Sequence, residues 1–380
     1  MGQLLMIFWT ALKLGLVSFG GPSAHLAYFE RVYVKEKKWL TAVEYTDLVS
    51  LSQFLPGPAS SQVGMGIGLK KGGILGSIVA FLGFTLPSVV VLMIFAYIHA
   101  KGNWSLDWLH GLKLVAVAIV AHAILDMSKK IWHSKMAIIL TVVATAVLLS
   151  WQTTYSTIIV LLIAALAGQL FLRQQQPALL VENVISKRIA AGFLIAFGVL
   201  LVALPLIAKL WPTTWLVMFE KFYTAGALVF GGGHVVLPLL EERLVETGLI
   251  SLNDFLVGYG AVQAVPGPLF TFASYLGMVI GGIPMALLAT VAIFLPAFLL
   301  IIGAYPFWQQ IRSNPKWCGA FNGMNAAVIG VLIAAWITPI VTSTIHSWLD
   351  ILWVILLFAM LLKWSPLLVV VVGILIGGFF

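Results

Sequence analysis

Apolar runs long enough to cross a lipid bilayer dominate this chain. Ile74–Ile98 and Ile189–Ala208 are two of them, and each reaches the ~20 residues that a helix needs to span the hydrocarbon core. Of the 380 residues, 61% are hydrophobic and 9% are charged, whereas soluble domains are roughly half apolar and a quarter charged. The sequence therefore predicts an all-α polytopic membrane protein with about 10 transmembrane helices, and it excludes a soluble enzyme.

Charge and cysteine content narrow the expected partners. Lys and Arg number 21 against 13 Asp and Glu, a formal charge of +8, and an excess of Lys and Arg is expected in cytoplasmic loops, so no nucleic-acid partner is implied. Cys318 is the only cysteine, which excludes an intrachain disulfide and a multi-thiolate metal site. We expect no metal and no cofactor. The first residues lack a basic segment and a small-residue cleavage site, so we expect a first mature span there.

Four sequence marks occur twice in the same order, with an offset of about 210 residues. In the first half they are Phe19-Gly20-Gly21, Gln53-Phe54-Leu55-Pro56-Gly57-Pro58, Gly72-Gly73 and Leu86-Pro87. In the second half they are Phe230-Gly231-Gly232, Gln263-Ala264-Val265-Pro266-Gly267-Pro268, Gly281-Gly282 and Leu295-Pro296. This order predicts two internal repeats of the kind that transporters carry.

The predicted organisation has three parts. Residues 1–172 form an N-terminal transmembrane repeat and residues 215–380 a C-terminal one. Residues 173–214 form a linker that opens with the polar break Arg173-Gln174-Gln175-Gln176-Pro177 and contains an extra helix over Ile189–Ala208. Within each repeat we expect one helix, a hairpin and then four helices.

The hairpin is the unusual part of each repeat. Its arms, Glu44–Leu55 and Ala59–Lys70 in the first half, would each rise only ~18 Å as helix, which is too short to span ~30 Å of hydrocarbon. Pro56-Gly57-Pro58 cannot continue a helix, so the chain either kinks or turns back. Basic residues on both sides of the hairpin favour a re-entrant pair with its tip near the midplane.

The relative orientation of the repeats stays open. The segment around Glu241 and Glu242 is acidic where its counterpart in the first half is basic, which favours inverted repeats. A full crossing by Ile189–Ala208 favours parallel repeats instead.

Two broken helices in matching places predict the transport site, because freed backbone groups at membrane depth are tolerated only inside protein or along a cavity. The arm after each Pro-Gly-Pro begins with free amides and the positive end of a helix dipole, which suits an anion. A packing kink, a close helix contact at the glycines and a structural histidine are the alternatives. The candidate substrate-binding residues are Gly20, Gly21, His25, Gln53, Pro56, Gly57, Pro58, Ser60, Ser61, Gly231, Gly232, His234, Gln263, Pro266, Gly267, Pro268 and Thr271.

Ionisable residues in or beside apolar segments are candidates for coupling or gating, since such groups are costly in a membrane. Interfacial snorkelling and helix capping are the alternatives. The candidates are Lys13, Glu30, Arg31, Glu220, Lys221, Glu242 and Arg243. No hydrolase, metalloprotease or P-loop motif is present, so we expect a protein that is not an enzyme.

These paired motifs resemble the chromate transporter family in its long, two-repeat form. The resemblance rests on Phe19-Gly20-Gly21-Pro22 and Phe230-Gly231-Gly232-Gly233-His234, each followed by Gln-x-x-Pro-Gly-Pro, and it covers nearly the whole chain apart from the linker. It implies a multi-pass secondary transporter of the bacterial inner membrane that exports chromate, a tetrahedral dianion, driven by the membrane potential or a proton gradient. Pro22-Ser23 stands where the second half has Gly233-His234, so the two halves are not equivalent.

Several alternatives remain open at this stage. The substrate can be sulfate or another oxyanion instead of chromate, and the protein can be an anion channel instead of a carrier. A membrane-embedded enzyme and a scaffold subunit are rivals from other classes. Protons are a candidate coupling ion, and the chain can act as a monomer or as a homodimer.

Overall fold

The computed structural model describes residues 2–19, 21–101, 106–132, 134–151, 156–173, 184–230, 235–308, 310 and 313–377. All regular secondary structure in these residues is helical. The expected all-α architecture is confirmed.

The first half begins with two helices and a π-helical turn, followed by the two arms of the predicted hairpin. Thr41 caps the first arm through a reciprocal capping box with Glu44, which fixes where that helix begins. The elements are α1 (Gly2–Val17), α2 (Gly21–Phe29), a π-helix (Glu30–Glu36), α3 (Ala42–Phe54), α4 (Ala59–Lys101), α5 (Leu106–Ile131), α6 (Lys135–Ser150) and α7 (Ser156–Phe171).

The predicted linker helix is present and longer than expected. It is α8 (Lys187–Leu210). Its most apolar window is only 11% buried. An apolar surface this exposed on a helix of membrane-spanning length suits contact with lipid.

The second half repeats this order. Its elements are α9 (Thr214–Ala227), α10 (Val236–Leu244), α11 (Leu252–Ala264), a 3₁₀ turn (Leu269–Thr271), α12 (Phe272–Ala304), a second 3₁₀ turn (Tyr305–Phe307), α13 (Pro315–Ala335), a π-helix (Trp336–Val341), α14 (Trp348–Leu361) and α15 (Pro366–Gly377). Helices α2 and α10 were not predicted. In α10, Leu237, Leu240 and Leu244 recur at helical spacing and are buried, so the segment forms an amphipathic helix and not a loop.

In each half, the second hairpin arm ends at a glycine pair. Helix α4 breaks at Gly72-Gly73, where Gly73 has φ +62°, and α12 breaks at Gly281-Gly282, where Gly282 has φ +70°. A positive φ favours glycine because it lacks a Cβ. The arms are thus short helices in both halves. Their re-entry into a membrane stays a prediction.

The chain divides into two compact units, each built from segments of both repeats. The first unit comprises Met1–Gly102, Leu179–Val236 and Val265–Gln309. In it, α4 packs against α1 and α12, and α12 also packs against α8 and α9. Gly15 of α1 meets the Phe84 carbonyl, and Gly226 of α9 meets the Ile293 carbonyl, so glycine allows the same close helix contact in both repeats.

The second unit comprises Asn103–Ala178, Leu237–Ala264 and Gln310–Phe380. There α13 packs between α6 and α7, while α5 packs against α11, α14 and α15. The buried carboxylate of Asp350 caps α14 and lies 2.8 Å from His110 Nε2 on α5. The repeat boundaries predicted from the sequence therefore do not coincide with these compact units.

Among the residues that the structure describes, ten helices carry the apolar character expected of a multi-pass membrane protein. Five have the length and hydropathy to cross a bilayer, and the other five are shorter apolar helices. The long ones are Ala59–Lys101, His110–Lys129, Lys187–Leu210, Leu269–Phe307 and Pro315–Val341.

Candidate functional site: two crossed Pro-Gly-Pro tips

The two Pro-Gly-Pro tips lie in the first unit, and each is bonded to the opposite repeat. The Gly57 amide donates to the Val229 carbonyl at 2.7 Å, and the Gly267 amide donates to the Ser18 carbonyl at 3.0 Å. Ser18 and Val229 occupy equivalent positions, directly before the two Phe-Gly-Gly runs. We call this arrangement the crossed tips.

Glycine is required at the centre of each tip. Gly57 has φ +116° and Gly267 has φ +109°, a backbone region that other residues rarely enter. A Cβ on Gly57 would lie 3.1 Å from Ala297 Cβ, and one on Gly267 would overlap the Ser88 hydroxyl. Each tip is thus packed against the Leu-Pro segment of the other repeat's long helix.

The carbonyl groups of the two tips are satisfied differently. In the first tip, Gln62 Nε2 donates to the Pro56 carbonyl at 2.8 Å from the adjoining arm. In the second tip, Ser88 Oγ donates to the Pro266 carbonyl at 2.8 Å from the other repeat. The crossed tips are symmetric in their glycine bonds and asymmetric in their side chains.

The arm after the first tip begins with groups suited to an anion. Its first intrahelical hydrogen bond runs from Gln62 N to the Pro58 carbonyl, so the amides of Ala59–Ser61 precede the helical ladder. Ser60 and Ser61 are buried, and Ser61 Oγ has no hydrogen-bond partner among the described residues. A buried hydroxyl without a partner has the capacity to bind a ligand.

His25 lies between Ser18 and Ser60, and its side chain is 1% exposed. Its Nε2 lies 3.0 Å from the Ser18 carbonyl and its Nδ1 lies 3.2 Å from Ser60 Oγ. A carbonyl only accepts, so Nε2 carries the proton and donates to Ser18. In the neutral ring, Nδ1 then accepts from the Ser60 hydroxyl.

The arm after the second tip is polar but internally bonded. Thr271 Oγ1 donates to the Pro268 carbonyl, and Ser274 Oγ donates to the Thr271 carbonyl, both at 2.7 Å. Both side chains are buried. Thr271 therefore lies near the tip, with its hydroxyl already used by the backbone.

The other predicted substrate residues take no part in the hydrogen bonds of the crossed tips described above. Gln53 is exposed at the end of α3, and Gln263 is buried at the end of α11 in the second unit. Gly21 begins α2 with φ +77°. Gly20, Gly231, Gly232 and His234 lie outside the described residues.

The candidate coupling residues in the first unit lie apart from the tips' hydrogen bonds. Lys13 is exposed on α1. Glu30 pairs with Lys35 at 3.3 Å and Arg31 with Glu36 at 2.9 Å, all well exposed. Glu220 accepts from Thr224 Oγ1 at 2.9 Å, and Lys221 is half-buried beside it.

Glu242 and Arg243 belong to α10 in the second unit, outside the apolar helices. Glu242 lines a cleft of about 70 Å³ together with Glu241, Glu246 and Thr157. Thr157 Oγ1 donates to Glu242 at 3.3 Å. Burial raises the pKa of Glu241 and of Glu242 to about 7.

Three residues that make the hydrogen bonds of the crossed tips were not predicted from the sequence. Ser18 and Val229 act through backbone carbonyls, which leave no side-chain signature. Ser88 follows the Leu-Pro mark directly, so the repeat itself contained a signal for it. Ser88 of the first repeat, which contacts the second tip, has Ala297 as its counterpart in the second repeat.

Comparison with known proteins resolves the family. The family model for chromate transporters matches residues 5–169 and 216–378. The chain belongs to the chromate transporter family. The two matched regions fit the two internal repeats, and membership of a transporter family argues against an enzymatic role.

Three relatives are similar over most of their length. An uncharacterised transporter of Methanocaldococcus jannaschii is 26% identical over 98% of this chain and 93% of its own. A probable chromate transport protein of Synechococcus elongatus is 29% identical over 85% and 81%. A chromate transport protein of Pseudomonas aeruginosa is 28% identical over 86% and 78%. No solved structure matches the chain.

Proposed function

We propose that this protein is a secondary transporter that exports chromate across the bacterial inner membrane and binds it at the crossed tips. The observation that carries the binding site is the buried Ser61 hydroxyl, which has no partner among the described residues and lies beside the free amides of the arm after Pro58. The choice of chromate follows relatives named chromate transport proteins. Sulfate or another tetrahedral oxyanion is the alternative substrate.

The chemistry of the tips suits a dianion that must also be released. The donors that the described residues offer there are the backbone amides of Ala59–Ser61 and the Ser61 hydroxyl, because the hydrogens of His25 Nε2 and Ser60 Oγ are already donated to Ser18 and His25. Neutral donors bind an oxyanion through hydrogen bonds without a fixed counter-charge. Transport requires binding that is favourable enough for entry and weak enough for exit.

The membrane potential favours export of such an ion. One elementary charge crossing 100 mV gains about 2.3 kcal/mol, so a dianion leaving a negative interior gains about 4.6 kcal/mol by the same relation. Export therefore needs no further coupling ion. Proton coupling through Glu242 and Arg243, or through Glu30, Arg31, Lys13, Glu220 and Lys221, belongs to the proposal as a second energy source.

The decisive experiment measures chromate movement in vesicles with an imposed potential, with sulfate as competitor. We expect wild-type protein to move chromate toward the positive side. Ser61→Ala should raise the half-saturating chromate concentration about fivefold, as expected for one lost hydrogen bond. Ser77→Ala is the matched control, because its hydroxyl is also buried and unpartnered among the described residues but lies beyond the glycine break.

Three results would overturn the proposal. If wild-type vesicles move neither chromate nor sulfate, the oxyanion carrier is wrong. If Ser61→Ala and Ser77→Ala have equal effects, the binding site is not at the tip. A non-saturating flux without counterflow would favour an anion channel instead of a carrier.

A further inference from the structure

His25 is linked to both tips through different ring atoms. On one side, Nε2 donates to the Ser18 carbonyl, which also accepts the Gly267 amide of the second tip. On the other side, Nδ1 accepts from Ser60 at the start of the arm after the first tip. One buried imidazole thus joins a tip of each repeat.

We propose that His25 is the positioning residue that holds the crossed tips in register, by fixing the Ser18 carbonyl for Gly267 and the hydroxyl direction of Ser60. This inference rests on the proposed function, because it names how that binding site is organised. Ser60 directly precedes Ser61, whose hydroxyl has no partner among the described residues, so holding Ser60 also holds the groups that the start of this arm offers to a substrate.

The surroundings of the ring favour a fixed orientation. His25 meets the Phe84 ring edge-to-face at 5.5 Å, and Phe84 is itself packed against Phe29. All three side chains are buried. The ring therefore has little freedom to exchange its two partners.

The arm after the second tip has no counterpart of the Ser60–His25 hydrogen bond among the described residues. Phe270 stands where the first half has Ser60, and Phe272 stands where it has Gln62. Both phenylalanines are fully buried. The hydroxyl oriented by an imidazole belongs to the first tip alone among the described residues.

Two variants separate the two bonds of His25. His25→Gln places an amide N–H near the ε position and keeps a donor for the Ser18 carbonyl. His25→Asn places an amide oxygen near the δ position and keeps an acceptor for Ser60. Each variant loses one bond and retains the other.

The first readout is hydrogen exchange, which needs no transport. Gly57 and Gly267 both lie between prolines, which have no N–H, so each tip amide can be followed almost alone. His25→Asn should speed exchange at Gly267 about fivefold, the equivalent of one hydrogen bond, and leave Gly57 unchanged. His25→Gln and Ser60→Ala should leave both amides as in the wild type.

The second readout is a double-mutant cycle on the half-saturating chromate concentration. Ser60→Ala and His25→Gln remove the same bond, so we expect each to raise the concentration about fivefold and the double variant to add nothing. Ser60→Ala and His25→Asn remove different bonds, so their effects should multiply. Should His25→Asn fail to fold, the first cycle alone decides.

The outcomes separate this inference from the proposed function. Unchanged or equal exchange at Gly57 and Gly267 in His25→Asn would overturn the positioning role. Multiplying effects of Ser60→Ala and His25→Gln would overturn it as well. If the Gly267 shift appears while wild-type protein moves no oxyanion, the proposed function fails and the positioning role stands.

Discussion

Gly267→Ala offers the sharpest test of the crossed tips. The substitution leaves polarity almost unchanged and adds one methyl group. That methyl would overlap the Ser88 hydroxyl, which donates to the neighbouring Pro266 carbonyl. Alanine must also adopt φ +109°, which L-residues rarely do.

The expected cost has two parts. Holding a non-glycine residue in this backbone region costs about 1–3 kcal/mol. Displacing Ser88 breaks its hydrogen bond, which costs about 1 kcal/mol. The sum is about 2–4 kcal/mol of unfolding free energy.

Gly57→Ala is the matched variant in the other tip. It meets the same backbone demand at φ +116°, but its Cβ would lie 3.1 Å from the Ala297 methyl and 3.2 Å from Gln62 Nε2. Neighbours at these distances need to move by only a few tenths of an ångström. Gly267→Ala should therefore be the more destabilising of the two by about 1 kcal/mol.

The measurement is the stability of detergent-purified protein for wild type, both alanine variants, Ser88→Ala and Ser88→Ala with Gly267→Ala. Ser88→Ala should cost about 1 kcal/mol alone and nothing further beside Gly267→Ala, because the same bond is already broken. Wild-type stability of Gly267→Ala would refute the tip geometry. Additive costs of Ser88→Ala and Gly267→Ala would refute the contact between them.

Three further predictions concern the arms and the second unit. Gly73 and Gly282 have φ +62° and +70°, with nothing within 4 Å of an added Cβ, so Gly73→Ala and Gly282→Ala should each lower the unfolding free energy by about 1–3 kcal/mol through backbone strain alone. Gly198→Ala in α8, also in open space, is the control and should raise the unfolding free energy by up to about 1 kcal/mol. Equal unfolding free energies for the three variants would contradict the glycine breaks. Trp308→Phe should lower stability by about 1.5–3 kcal/mol, because it removes the 3.0 Å N–H donor to buried Asp47 and keeps an aromatic ring against Phe54; no loss in a denaturation assay would show that this bond is not made. Burial raises the pKa of Glu241 from 4.5 to about 7, so between these pH values the folded protein binds more protons than the unfolded chain. The unfolding free energy should therefore fall as pH rises through that window. Glu241→Gln should flatten the slope of unfolding free energy against pH, and an unchanged slope would contradict the burial of the carboxyl group.

The backbone breaks at the two tips were predictable because their causes are local. Two prolines remove backbone donors, and a glycine between them accepts a positive φ, so the break at Pro56-Gly57-Pro58 needs no tertiary information. The kinks at Gly72-Gly73 and Gly281-Gly282 also have a local cause, because glycine accepts a positive φ. Recurrence at a near-constant offset made each signal stronger than it is alone.

The partners of the tips were not predictable, because the acceptors are backbone carbonyls. Every residue has such a carbonyl, so nothing marks Ser18 or Val229 as special in a single sequence. Helical phase determines the surroundings of the predicted residue Gln53. At the end of α3, Ser52 is buried and Gln53 exposed, because neighbouring helical positions differ by about 100°.

The exchange of tips between the repeats has a consequence for assembly. Each repeat supplies its glycine amide to the other and takes the other's in return, as the two members of a swapped dimer do. A half-length product ending in the polar break after Arg173 would therefore complete neither tip. We expect the predicted linker, residues 173–214, to keep the two members at high effective concentration, and the two halves made as separate chains should regain the crossed tips only when they are produced together.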